Sequence, residues 1–376
     1  MDSAKENTRL LSLDVFRGMT IAGMVLVNNP GTWSAIYSPL KHAEWHAVTP
    51  TDYIFPFFLF IVGVAIPLAL GKRVENGTVT KDIYFKILRR AGVIFLLGLF
   101  LAAFPYFNFS TLRIPGVLQR IAVCYLVASV LFLHFDWKKL SIISVFLLLI
   151  YWALMTLINV PGCEITTIDD KACNAAAYLD RVILTENHIW KQAKVFDPEG
   201  ILSTIPAIVT AISGILTGIW LKKDKTDYEK VCGLFFFGVA ALAIGWTWNF
   251  FFPLNKSLWT SSYVVYTSGL ALCFLGFCYW LVDIKDYRKW AKPFVIFGVN
   301  ALALFVGSGL MAKIMGLIKF GGADGKEISL QSWIFKTFFL SIAAPVNASL
   351  MFAICFILFW LFLMWLLYRK KIYIKI

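Results

Sequence analysis

Charge is scarce in this sequence. Asp, Glu, Lys and Arg together make up 15% of 376 residues, well below the quarter or so found in soluble domains. There are four histidines and seven cysteines, and no HExxH, CxxC, Walker or GxGxxG pattern stands in its required context. A zinc protease, a nucleotide-driven pump and a dinucleotide enzyme are therefore without sequence support. What fills the space is apolar: 59% hydrophobic residues and a mean hydropathy of +0.74, gathered into runs of about twenty, the length that spans hydrocarbon. A net charge of +13 would point to nucleic acid in a soluble chain. Here the cations sit in short links between apolar runs, which is a topology signal and gives no reason to expect a nucleic-acid partner.

The expected fold class is an all-α integral membrane protein, a polytopic bundle of about ten transmembrane helices. The spans read as 14–27, 51–70, 87–104, 115–133, 141–160, 202–221, 231–251, 262–282, 294–317 and 349–368. The first follows Lys5 and Arg9 but is interrupted by Asp14 and Arg17 with no small-residue cleavage site after it, so it reads as a retained span. Basic residues fall in alternate links: Lys72, Arg73, Lys81, Lys86, Arg89 and Arg90; Lys138 and Lys139; Lys222, Lys223, Lys225 and Lys230; Lys285, Arg288, Lys289 and Lys292. The positive-inside rule places these links and both termini in the cytoplasm of a bacterial cell, across its inner membrane. The segment 331–344 is apolar but short and carries Lys336. If it crossed, Arg369, Lys370 and Lys371 would emerge outside, so it is assigned to the outer interface. The whole of 1–376 then reads as a single transmembrane domain with one long periplasmic loop, 161–200. In that oxidising compartment Cys163 and Cys173 are candidates for a disulfide, while Cys124, Cys232, Cys273, Cys278 and Cys355 read as small buried hydrophobes.

Polar residues that interrupt this pattern are the candidates for chemistry. Thr49-Pro50-Thr51-Asp52 has the form of a helix start, with Asp52 facing back to its cap. Just before it stand His42, Glu44 and His46. A metal site there is conceivable, but two histidines and a carboxylate in a short loop are weak grounds, and none is assigned. Asp197-Pro198-Glu199-Gly200 reads as a second helix start. Arg120 lies about 7 Å inside its span at 1.5 Å per residue. A cation at that depth calls for an anionic partner, either Asp52 or Glu199 or an anionic ligand. Asp14 and Arg17, three apart, read as a local ion pair, and Asn300 as an amide inside a span that bonds a helix or a ligand.

Several stretches, in order along nearly the whole chain, carry a resemblance: RLLSLDVFRGMTIAGMVLVNN, KHAEWHAVTPTDYIFPFFLFIVG, LRIPGVLQRIAVCY, CNAAAYLDRVIL, FDPEGILSTIPAI, PLNKSLWTSSYVVYT, FGVNALALFVGS and LLYRKKIYIKI. The sequence resembles the heparan-alpha-glucosaminide N-acetyltransferase family, bacterial members included. The resemblance implies a membrane enzyme that uses cytoplasmic acetyl-CoA as co-substrate to acetylate the amino group of a terminal glucosamine on the far side of the membrane, and it suggests a homodimer. It puts the active-site histidine on His42, the nearby asparagine on Asn28 and the aspartate on Asp52. Arg89, Arg90, Arg73, Arg120 and Asn300 become candidates for the CoA side, and Glu199, Asp180 and Trp45 for the acceptor side. Two departures stand out: His46-Ala47 replaces the Asn-Gly usual after the tryptophan, and the sequence has no counterpart of the lumenal domain of the animal members. The first bears on the acceptor, and the second removes any argument for lysosomal processing. Acyl transfer to a hydroxyl of an envelope glycan could use the same residues, and a secondary transporter shares the span count without the internal repeat expected of one.

Overall fold

The computed structural model describes residues 10–321 and 327–374; Lys5 and Arg9, read above as flanking the first span, lie outside the described residues. Among the described residues the regular structure consists of thirteen α-helices, three short 3-10 turns, two π-helical stretches and two short paired strands. The first half holds α1 (Leu11–Asn28), α2 (Ile54–Glu75), α3 (Lys81–Ala103), α4 (Val117–His134), α5 (Trp137–Leu157) and the short α6 (Ala175–Leu184). The second holds α7 (Thr204–Lys222), α8 (Asp227–Trp248), α9 (Ser261–Cys278), α10 (Lys292–Val299), α11 (Ala301–Leu317), α12 (Leu330–Ile334) and α13 (Pro345–Arg369). Antiparallel strands β1 (Lys319–Gly321) and β2 (Glu327–Ser329) pair between α11 and α12.

Nine of the ten expected spans each fall mainly on one of these helices, and the remaining one, 294–317, is divided between α10 and α11. Among the described residues eight helices are long and apolar enough to cross a membrane, and α10 with α11 form a ninth candidate, bent by 82° at Asn300. The tenth, α3, carries Lys81, Asp82, Lys86, Arg89 and Arg90 in its first three turns. It spans only if those long side chains reach the headgroup region. α1 starts at Leu11, ahead of Asp14, so the first span gains the turn its sequence run lacked. The helical stretch from Leu330 to Phe339 is too short to cross. The chain is an all-α, multi-pass membrane protein.

At one end of the bundle lie the start of α1, the α2–α3, α4–α5, α7–α8 and α9–α10 links and the end of α13. These hold the basic clusters, and the His42 loop lies at the opposite end. Close packing fixes the register between the ends. Hydrocarbon gives helices no hydrophobic reason to associate, so small residues that let backbones touch decide the pairing. At the α2–α7 contact, a Cβ on Gly63 would stand 2.0 Å from the Ala211 carbonyl oxygen, and one on Gly214 would stand 2.1 Å from that of Phe60. α2 is thereby clamped at the centre, with Leu59, Phe60, Ile61 and Val64 all buried. By contrast α8, α5 and α13 turn most of their surface outward. Cys232 and Cys355 lie exposed on α8 and α13, which corrects their reading as buried residues; Cys124 and Cys278 are buried as expected. Cys163 and Cys173 form a disulfide in the loop between α5 and α6.

Candidate active site

α2 is entered through a 3-10 turn, Pro50–Tyr53, with Thr49 as N-cap and a capping box between Thr49 and Asp52, as the local sequence dictates. The two carboxylate oxygens of Asp52 have different tasks. Oδ2 accepts the backbone N–H of Thr49 (3.0 Å) and of Ala43 (3.1 Å), which caps the helix and ties the preceding loop to it. Oδ1 faces His42 Nδ1 at 2.7 Å. The Asp52 side chain is 1% exposed and that of His42 49%, so a buried anion orients a ring that reaches solvent. Beneath them the hydroxyl of fully buried Tyr263 donates to the Asp52 carbonyl (2.6 Å).

The third member of the cluster was not singled out in the sequence. Lys256, in the link between α8 and α9, places Nζ 3.0 Å from His42 Nδ1 and 3.4 Å from Asp52 Oδ1. Burial pushes its ammonium below the ordinary lysine value, while the Asp52 carboxylate holds it up. Lys256 lies in a quoted segment, PLNKSLW, and is the one charged residue between Trp248 and Ser261; only the fold brings it to His42. Nδ1 cannot both donate to the Asp52 carboxylate and accept from the Lys256 ammonium. The charge-assisted bond to carboxylate is the stronger, so Nδ1–H donates to Asp52 and Lys256 pairs with the same carboxylate. Nε2 is then left with its lone pair free to take a proton or bond a carbonyl carbon.

The loop that holds His42 is pinned from outside. The Trp45 indole N–H donates to the Ile168 carbonyl (2.9 Å), and His46 stands between Asp169 (Nε2 to Oδ1, 2.8 Å) and Asn255 (Nδ1 to Nδ2, 3.3 Å). Both side chains thus anchor the 161–200 loop over the site. Among the described residues no group of three or more His, Cys, Asp or Glu side chains is placed to hold a metal.

Arg120 differs from expectation. It is buried, but it forms an ion pair with neither Asp52 nor Glu199. Its Nη2 donates to the Gly200 carbonyl (3.1 Å) and to Ser203 Oγ, and its guanidinium lies 5.1 Å over the Trp259 ring. Glu199 is taken instead by Arg113 (2.5 Å), which also grips both oxygens of Asp197 at 2.8 and 2.6 Å. A planar guanidinium between two carboxylates two residues apart satisfies all three groups, and both carboxylates draw Arg113 above the ordinary arginine value despite its burial. For the same reason Asp197 does not cap α7, which begins at Thr204. Asp197 Oδ1 accepts the N–H of Glu199 (2.9 Å) and closes a side-chain turn ahead of the helix. Asp180, on α6, is buried under that turn, accepts the Ile201 N–H (2.8 Å), and is pushed up to about 6 by burial. Asp180 and Glu199 therefore hold the turn on which Arg120 rests. Asn28, exposed at the end of α1, makes no hydrogen bond to the His42 cluster.

A cavity of about 600 Å³ opens among α1, α2, α3, α4 and the bent span. Arg17, Arg90, Asp14 and Tyr373 stand toward its basic mouth, and Phe58, Val62, Leu118 and Leu302 are among its apolar walls. Arg17 and Asp14 pair at 3.2 Å as expected, and Arg90 lies 5.0 Å over the Tyr125 ring. Arg73 and Arg89 are exposed and line no part of the cavity. Phe58 is six residues beyond Asp52 on α2, about 9 Å along the axis, so the cavity ends short of His42. A second cavity, about 570 Å³ and lined by Arg113, Lys191 and Lys313, lies on the other side of Leu118, which walls both. Asn300, buried at the bend, does not face open space: Nδ2 donates to the Ile372 carbonyl (3.0 Å), and Oδ1 accepts the Ile374 N–H (2.9 Å).

This arrangement has relatives. A family described as heparan-alpha-glucosaminide N-acetyltransferase, catalytic, matches residues 9–229. That match contains Asn28, His42, Asp52, Arg120 and Asp180, and leaves Lys256, Asn300 and the C-terminal tail beyond it. Among curated proteins, heparan-alpha-glucosaminide N-acetyltransferase of Homo sapiens is 30% identical over 353 residues, covering 80% of this chain and 52% of the human protein. That of Mus musculus is 29% identical over 355 residues, covering 80% and 53%. The chain spans about half the length of the curated relatives it matches. With more than half of its own length matching the catalytic region, the chain belongs to the heparan-alpha-glucosaminide N-acetyltransferase family.

Proposed function

We propose that this chain is a transmembrane N-acetyltransferase that takes the acetyl group of acetyl-CoA at its basic end and delivers it to the amino group of a glucosamine-type sugar at the His42 end. The carrying observation is that the two ends hold different chemistry. A nucleophile-activating His–Asp–Lys cluster stands at one, and a cation-rimmed cavity opens at the other. Asp52, in the turn that enters α2, and Lys72, near the end of α2, are twenty residues apart, about 30 Å of helix, the thickness of the hydrocarbon. By the positive-inside rule the basic end is cytoplasmic and His42 faces the periplasm. That assignment makes 161–200 an outer loop and 331–344 an outer interfacial segment of one transmembrane domain in a bacterial inner membrane.

The cavity suits the donor. Phosphates cannot enter hydrocarbon and stay at Arg17 and Arg90, the start of α11 adds its positive dipole end, and the apolar walls accept the thin pantetheine arm. Among the cavity's lining residues on α2, Phe58 lies nearest in sequence to Asp52. The acceptor nitrogen then attacks the thioester carbonyl, His42 Nε2 takes the amine proton, and the C–S bond breaks to release CoA thiolate, which recovers a proton. Asp52 holds the Nδ1–H tautomer and stabilises the imidazolium. Lys256, on the Nδ1 side of the ring, holds the Asp52 carboxylate in place. A relay in which Nε2 first carries the acetyl group uses the same atom. The bent span is a feature shared with transporters, which pair two such helices in related halves; among the described residues there is one.

His46-Ala47 stands next to the site where the family pattern usually has Asn-Gly, which keeps a hydroxyl acceptor in view. Purified protein given acetyl-CoA should acetylate glucosamine at nitrogen faster than it acetylates any hydroxyl in a panel of envelope glycans, as read by mass spectrometry of the products. Transfer only to hydroxyls would replace the amine by an O-acyl acceptor, and CoA release from neither would remove the enzyme reading.

A further inference from the structure

We infer that the C-terminal tail is part of the acyl-donor site, with Asn300 holding it in place and Tyr373 offering its ring to the nucleotide of CoA; the inference rests on the donor reading above. α13 ends at Arg369. The chain then reverses through Lys371, whose φ of 55° is the left-handed conformation that ends helices, with the Ile372 N–H bonded to the Leu367 carbonyl (2.9 Å). From there it runs extended along the bend between α10 and α11. The Asn300 amide takes the carbonyl of Ile372 and the N–H of Ile374, the two groups that an extended strand presents on one edge. A buried side chain therefore acts as the partner strand. A broken span leaves backbone groups that lipid cannot satisfy, so the bend calls for protein beside it, and the tail lies there, bonded to the Asn300 side chain.

The consequence for the cavity is specific. Tyr373 and Ile374 line it together with Arg17, Arg90, Gly298 and Leu302. Tyr373 keeps 40% of its surface exposed, and Arg369, Lys370 and Lys371 are exposed just behind it. A donor whose pantetheine arm fills the apolar part must leave its nucleotide at this mouth. There the tail provides an aromatic face for the purine ring and cations for phosphate. From the sequence, Asn300 is a candidate for the CoA side. Its amide bonds the tail through both Nδ2 and Oδ1 and is buried, so it is a positioning residue.

Two variants and two donors test this. Tyr373→Ala should weaken CoA binding, measured by calorimetry, and raise the acetyl-CoA requirement by about tenfold, a loss typical of one stacked base. Its KM for S-acetyl-N-acetylcysteamine, a thioester without the nucleotide, should not change. Asn300→Ala should make the tail more sensitive to trypsin at Arg369–Lys371 and lose a similar factor in CoA affinity, and CoA should protect the tail of the unsubstituted protein. Equal CoA binding by the unsubstituted protein and either variant would overturn the tail's role and leave the donor reading intact. An equal rise in KM for both donors in Tyr373→Ala would also overturn it, since the contact would not be to the nucleotide. Failure of the unsubstituted protein to bind CoA would remove the donor reading and the tail's role together.

Discussion

His42→Ala is expected to leave the protein folded and able to bind CoA while acetyl transfer falls by about a hundredfold to ten-thousandfold, the range for loss of an acid–base group. The ring is half exposed and bonded through Nδ1 alone, so its removal opens no cavity in the core. Asp52 keeps its two backbone donors and Lys256 keeps its carboxylate. Binding and thermal stability are therefore the controls that isolate the chemistry. His46→Ala is the internal comparison. It gives up contacts to Asp169 and Asn255 and should alter acceptor preference more than turnover. Transfer that survives in His42→Ala, on protein shown to bind CoA normally, would reduce His42 to a surface residue.

Asp52→Asn should be nearly as damaging, for a different reason. The Thr49 and Ala43 N–H groups both point at Oδ2, so an asparagine at this position must put its carbonyl oxygen there. Its NH₂ then faces His42 Nδ1. That nitrogen becomes an acceptor, the ring proton moves to Nε2, and Nε2 can no longer take a proton from an amine. In a comparable His–Asp pair of a hydrolase, the wrong tautomer costs on the order of 10⁴ in turnover. The helix cap survives the change, so CoA binding should move little, while the thermal midpoint should fall because Lys256 loses its carboxylate partner. A rate within a factor of about three of the unsubstituted enzyme would show that the Nδ1 partner does not set the tautomer, against the preference of Nδ1–H for a charged acceptor.

Much of this was legible in the sequence. Run lengths and alternating basic links identify the spans because hydrocarbon leaves the backbone few alternatives to helices, and Thr49-Pro50-Thr51-Asp52 makes its helix start by purely local bonding. The local pattern could not say what else Asp52 does, since one carboxylate has two oxygens and the second answers to a residue ten positions away. Lys256 was hidden for the same reason, its partners lying more than two hundred residues upstream. Arg120 and Glu199 were matched by depth and charge, yet Glu199 is held by Arg113, which stands outside any span where a cation would attract notice. Asn300 was recognisable as a polar residue in a span. That its partner is the backbone of the tail depends on a bend that neither glycine nor proline marks at that position.

The most direct test separates the two substrates by a membrane. Proteoliposomes loaded with acetyl-CoA, washed free of external donor and given glucosamine outside should release N-acetylglucosamine into the external medium, because molecules with the basic end inward can reach both. Product that forms only when donor and acceptor share one compartment would contradict a site reached from opposite ends of the bundle.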